Sequence, residues 1–162
     1  QQPIMFTQSK SPVSEPQALQ KLAALCSRSE HSSGEIREKM RRWQLPSDAQ
    51  ERIVQRLVAE RFIDDSRFAR LFVRDRLRFA SWGERKILMA LRQKGIDEAT
   101  AAEALGEVSD DEWLDALRSV IAAKRRTTNA ASDYELNAKL MRHALSRGFT
   151  MRLIEQCVDT PD

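Results

Sequence analysis

The 162 residues are 41% hydrophobic and 31% charged and carry a net charge of only +3, a balance that permits a folded core with a high ratio of surface to interior. Five Gly and five Pro, with no run of alternating β-branched residues, argue against sandwiches, barrels and Gly-rich nucleotide-binding folds and for an all-helical chain. No apolar stretch approaches the roughly 20 residues that span a bilayer, and Cys26 and Cys157 stand far apart with no CxxC partner, so a soluble protein of the reducing cytoplasm, without a disulfide, is expected.

In chain order, residues 1–15 contain SKSPVSEP and no apolar period, and are expected to form a disordered tail. Beyond them the spacing predicts nine helices, over 17–29, 33–43, 47–61, 65–80, 82–94, 98–107, 110–126, 133–147 and 151–158. Five starts carry the spacing of a capping box: Ser32 with Glu35, Ser47 with Gln50, Ser81 with Glu84, Ser109 with Glu112, and Ser132 with Glu135. Asp64 or Asp65, Asp97 and Thr150 are expected to cap three more, and Gly95 and Gly148 fit the position just past a helix end.

The helices fall into threes that resemble one another. Each middle helix carries two apolar residues a turn apart, then a turn, then a third: Ile36, Met40, Leu45; Ile87, Leu91, Ile96; Leu140, Ala144, Phe149. A period near 50 residues means repeats. The organisation expected is three tandem three-helix repeats, at 16–62, 63–108 and 109–160, in an elongated, curved helical array whose units bury apolar surface against each other. A monomer is expected.

The small net charge hides a strong asymmetry. Residues 35–94 hold 16 Lys/Arg against 9 Asp/Glu, a net +7, whereas residues 95–123 hold 1 against 8, a net −7. On a wheel at 100° per residue, Arg67, Arg70, Arg74 and Arg78 share one side of helix 65–80 within about 80°. Phe68, Phe72 and Phe79 fill a second sector and Ala69, Val73, Leu77 and Ala80 a third, with Arg76 between them and in need of a carboxylate or helix end. Arg85, Lys86, Arg92 and Lys94 continue the basic stripe on the next helix. Such a stripe suits phosphate backbone or an acidic protein groove, since arginine makes forked contacts with either. Ion pairing with Asp64, Asp65, Asp75 and neighbouring acids is the alternative.

Other features carry less chemistry. Trp43, Trp82 and Trp113 read as packing residues, with Trp82 beside Arg85 the best placed to stack on a base instead. Lys124, Arg125 and Arg126 read as favourable charge at a helix C-terminus or as a second contact patch. His31 and His143 lack metal-ligand spacing, and Asp64 with Asp65 reads as a cap rather than a chelate, so no catalytic, metal or cofactor site is expected.

The segment FIDDSRFARLF resembles the signature F/Y-[IL]-[DN]-D-x-x-[FY]-A-x-x-[FW] of the RecX regulators of the bacterial RecA recombinase. Gly83, Lys86, Ile87, Leu91, Lys94, Gly95 and Ile96 match its continuation, and the outer repeats extend the resemblance over about 17–158. Phe62, Asp64, Asp65, Phe68, Gly83 and Gly95 thereby become structural motif residues. Two positions depart from the pattern: Ala90 replaces a commoner charged residue, and the turn after Trp43 lacks the Gly found after Lys94 and Arg147. The resemblance implies a non-enzymatic modulator that binds the RecA filament, with or without its DNA, and mostly suppresses ATPase and strand exchange in DNA repair and recombination. A sequence-tolerant DNA-binding protein and a helical-repeat adaptor are the alternatives.

Overall fold

A computed structural model describes residues 13–158. Among them all regular structure is helical: α1 (Glu15–Arg28), α2 (Ser33–Arg42), α3 (Ser47–Ala59), α4 (Asp65–Ala80), α5 (Glu84–Gln93), α6 (Glu98–Gly106), α7 (Asp110–Thr127), α8 (Asp133–Ser146) and α9 (Met151–Ile154). The chain divides after Asp64 into two compact units. In the first, α1–α3 enclose Ala18, Leu22, Ile36, Met40, Leu45, Ile53, Leu57 and Ile63. In the second, α4–α9 share one continuous cluster that runs from Phe68 through Leu91, Leu117 and Leu140 to Val158.

The apolar triads have a common backbone cause. The N–H of Leu45 donates to Met40 C=O at 3.2 Å, that of Ile96 to Leu91 at 3.1 Å, and that of Phe149 to Ala144 at 3.2 Å. The preceding residue turns back on the carbonyl three positions earlier in each case, at 2.9, 3.0 and 3.0 Å. This is the Schellman ending, which demands a left-handed residue and brings apolar residues on either side of the turn together. Gly95 (φ 76°) and Gly148 (φ 96°) supply that residue in two repeats; in the first, Gln44 adopts φ 57° without being glycine. A fourth such turn ends α3, at Arg61 (φ 62°), where Phe62 N–H reaches Leu57 C=O at 2.8 Å.

Several expected helix starts are corrected. Ser32 and Ser109 form reciprocal boxes with Glu35 and Glu112, but Ser47 lies inside α3, whose cap is Pro46, and the Gln50 amide donates instead to Leu45 C=O at 2.8 Å. Ser81 does not cap either: it sits at φ 51° and α5 starts after Gly83. Ser132 accepts from Glu135 N–H, while the Glu135 carboxylate turns to Ala131 N–H at 3.0 Å rather than completing the box. Asp97 caps α6, accepting from Thr100 N–H at 2.7 Å. Thr150 occupies its cap position without a side-chain bond, its Oγ1 buried and unpartnered, and α9 gives way to turns after four residues. Part of the expected tail is structured, since Val13 is buried and Ser14 forms a capping box with Gln17 that starts α1 at Glu15. The rest of the expected tail, residues 1–12, lies outside the described residues.

The displaced start of α5 has a tertiary reason. Gly83 N–H donates to Arg147 C=O at 2.8 Å and Arg85 N–H to Gly148 C=O at 3.0 Å, while the Arg147 guanidinium donates to Ala80 C=O. The free N–H groups of one helix are thus satisfied by the carbonyls that end another. A Cβ on Gly83 would lie 2.3 Å from Phe149 N, and one on Gly148 2.4 Å from Lys86 Cβ, so both positions admit only glycine without displacing main chain or Cβ.

Candidate interaction surface

Helix α4 buries Phe68, Ala69 and Val73 and turns Arg70, Arg74 and Arg78 outward. Phe68 and Phe72 stack at 5.8 Å between centroids, but Phe79, expected in the same apolar sector, is 75% exposed. It lies near the C-terminal end of α4, where the Arg78 guanidinium covers its ring at 5.2 Å.

The basic stripe is only partly available. Arg74 pairs with Glu112 at the start of α7 and donates to Glu107 C=O at 3.2 Å. That contact, followed by the Ser109 N–H, holds the Glu112 carboxyl below its ordinary range. Arg92 forks onto Glu98 at 2.5 and 3.1 Å. The acidic block therefore neutralises two of the eight cations, and its glutamates, not Asp75, are the partners of Arg74 and Arg92. Lys86 Nζ lies 4.6 Å from the Trp82 centroid and Lys94 Nζ 5.8 Å from that of Phe72. Arg67 is half-buried; Arg70, Arg78 and Arg85 are exposed. Among the described residues, no carboxylate pairs with Arg70, Arg78 or Arg85, which leaves these three as the exposed cations of the stripe without an acidic partner.

Arg76 needs no helix end. Its guanidinium lies over Phe72 at 4.8 Å and Trp82 at 5.1 Å, with Asp75 at 3.5 Å, and its Nε is buried without a hydrogen-bond partner. The expected carboxylate is thus Asp75, and cation–π attraction to the two rings adds to that ion pair. Trp82 is half-buried against the core with both Arg76 and Lys86 over its ring, Trp113 is 3% exposed, and Trp43 is half-buried beneath Lys21. Of the motif residues, Phe62 packs on the first core, Phe68 enters the second, Asp65 opens α4 with Asp64 before it, and Gly95 makes the turn after α5. The structural part of Arg147 escaped the sequence reading, because the only signal of it is a long-range bond.

Among the described residues no cluster of three or more His, Cys, Asp or Glu side chains is arranged to hold a metal. Among the described residues, Cys26 and Cys157 form no disulfide, and no helix is long and apolar enough to cross a membrane.

Comparisons with known proteins bear on the same segments. The family model for the second three-helix domain of RecX matches residues 64–105, and that for the third matches 110–158. The chain is 35% identical over 131 residues to the regulatory protein RecX of Prosthecochloris aestuarii, covering 80% of this chain and 83% of that protein. It is 30% identical over 128 residues to the regulatory protein RecX of Lactobacillus gasseri, covering 79% of this chain and 47% of that protein; it thus spans about half the length of this relative. In three dimensions it resembles a crystal structure of RecX from Lactobacillus salivarius, with a TM-score of 0.79 at 21% identity over 88% of this chain and 93% of that one. A second crystal structure, of a regulatory protein RecX, gives a TM-score of 0.83 at 21% identity, covering 88% and 72%. These two likenesses concern the fold.

Proposed function

The chain belongs to the RecX family of regulatory proteins, and from that premise we propose that it binds the RecA recombinase filament in the cytoplasm and restrains its ATPase and strand-exchange activities. It acts as a binding protein, probing no substrate and using no cofactor. The observation that carries this reading is the exposure of Arg70, Arg78 and Arg85 without acidic partners, within a matched family segment. Unpaired arginines are suited to forked contacts with carboxylate or phosphate, and both are surfaces that a nucleoprotein filament offers. Two tethered units in one chain can engage neighbouring protomers and gain effective concentration.

The test is a RecA ATPase assay on single-stranded DNA, with and without the purified protein. Inhibition is expected, and the double variant Arg70→Glu, Arg78→Glu should weaken it about tenfold or more at unchanged far-UV helicity. Unchanged inhibition by that variant would remove the arginine face from the mechanism, and no inhibition by the parent protein would end the filament reading. Arg74 is unsuitable for this test, since a glutamate there would face Glu112.

A further inference from the structure

Apart from the arginine face of α4, the second unit carries a basic cleft between α7 and α8, bordered by the C-terminal end of α4, that the filament reading does not use. Two open depressions, of about 490 and 450 Å³, share Lys124, Thr127 and His143. Lys139 and Arg142 complete the first and Arg147 the second, and no carboxylate lines either. Some of this charge is already committed: Lys139 is bound to Glu135 at 3.0 Å and to Asn129 C=O at 2.9 Å, and Arg147 to Ala80 C=O. Lys124, half-buried, and Arg142, exposed, have no acidic partner within ion-pair distance, although Arg142 acts on the Glu135 carboxylate from further off, and the half-buried His143 lines both depressions with Lys124. Charge at the end of α7 is favourable to that helix's dipole, but the dipole gives no reason for α8 to bring Arg142 and His143 to the opposite wall.

We propose that this cleft is a phosphate-binding site, taking one phosphate group from the backbone of a nucleic acid or from a free nucleotide. The donors come from two helices, so they approach from more than one direction. A tetrahedral oxyanion accepts such an array, whereas a carboxylate presents two coplanar oxygens best met by a single fork. The cleft is open enough for the rest of a nucleotide to remain outside. His143 reports on occupancy: burial, then Lys124, then Arg147 depress its basicity, and an anion seated among them reverses the charge contributions. The groups around the ring are Lys124 from α7, Lys139 (paired with Glu135) and Arg142 from α8, and Arg147 after it, with the uncharged Ala80 and Ser81 closing the second depression. The site stands independently of the filament reading, so a negative ATPase assay leaves it intact.

The experiment follows the imidazole protons of the full chain by NMR through a pH titration, with His31 of the first unit as internal reference. The additions are sodium phosphate, adenosine monophosphate, a thymidine oligonucleotide without terminal phosphates, and sodium glutamate or chloride at matched ionic strength. The expected result is an upward move of the His143 midpoint with phosphate and with at least one nucleotide probe, little with glutamate or chloride, and none at His31. A response to the oligonucleotide assigns the internal phosphodiester as ligand; a response to the monophosphate alone assigns a terminal phosphate. Lys124→Glu and Arg142→Glu should each weaken binding about tenfold, with Lys124→Arg retaining it. Arg142 is exposed, so its variant carries the test if Lys124→Glu loses helicity. No movement of His143 with any phosphate probe, or the same movement with glutamate or chloride, overturns the proposal.

Discussion

Gln44, Gly95 and Gly148 occupy the same place in three repeats, yet only two are the residue that the backbone prefers. A side chain at a left-handed position costs roughly 1 kcal/mol or more, offset in part by the greater freedom of an unfolded glycine. Gln44→Gly is therefore expected to raise the free energy of unfolding by up to about 1 kcal/mol in denaturant titrations. Gly148→Ala should act in the opposite sense and more strongly, by about 2 kcal/mol or more, because φ 96° and the approach to Lys86 are both violated. Equal effects at the two positions would contradict the role of close packing at Gly148. At this scale the sequence was legible where chemistry is local. Ser32, Asp97 and Ser109 cap as their spacing predicts, whereas Ser47 and Ser81 carry the same pattern and do not, since a proline cap and a bond from 64 residues away outcompete it.

Among elements, α4 shows why a charge pattern is an incomplete guide to a surface. Its wheel correctly separates buried from exposed faces, but not which arginines remain available, because Glu112 lies 38 residues further on. The contact between α4 and α7 should also leave a mark on acid stability. The Glu112 carboxyl is held below its ordinary value of 4.5 by Arg74 and then Ser109, and Glu98 is lowered chiefly by Arg92. A carboxyl lowered on folding contributes stability that is complete above its unfolded value and is lost as pH falls through the folded one. Stability should thus be insensitive to these groups near neutrality and decline below about pH 4.5. Glu112→Gln is expected to flatten that acid limb in urea titrations at successive pH values. An acid limb identical to that of the parent would deny the pairing its energetic role. Both carboxylates are solvent-exposed, which keeps the effect small and sensitive to salt.

At the scale of the whole molecule, caps and apolar spacing anticipate the nine helices of the described residues, but the 50-residue period conveys little about how triplets combine. Cores are closed by contacts between distant residues: Phe68 and Leu91 belong to the same cluster as Leu140 and Ile154. A fragment ending at Val108 leaves that cluster without α7–α9, and a second triplet expressed alone, residues 65–108, is expected to lose cooperative unfolding. Residues 65–162 should keep it, as read by circular dichroism during denaturant titration. A cooperative transition in the shorter fragment would show the triplets to be energetically separate. Arg85 illustrates one further consequence of how the triplets are joined. Its amide bonds to Gly148 C=O, whereas its guanidinium is exposed, and any residue other than proline provides the same amide. The identity at that surface position is consequently decoupled from the architecture beneath it. Successive substitutions can remake what the surface recognises there while the joint is inherited unchanged.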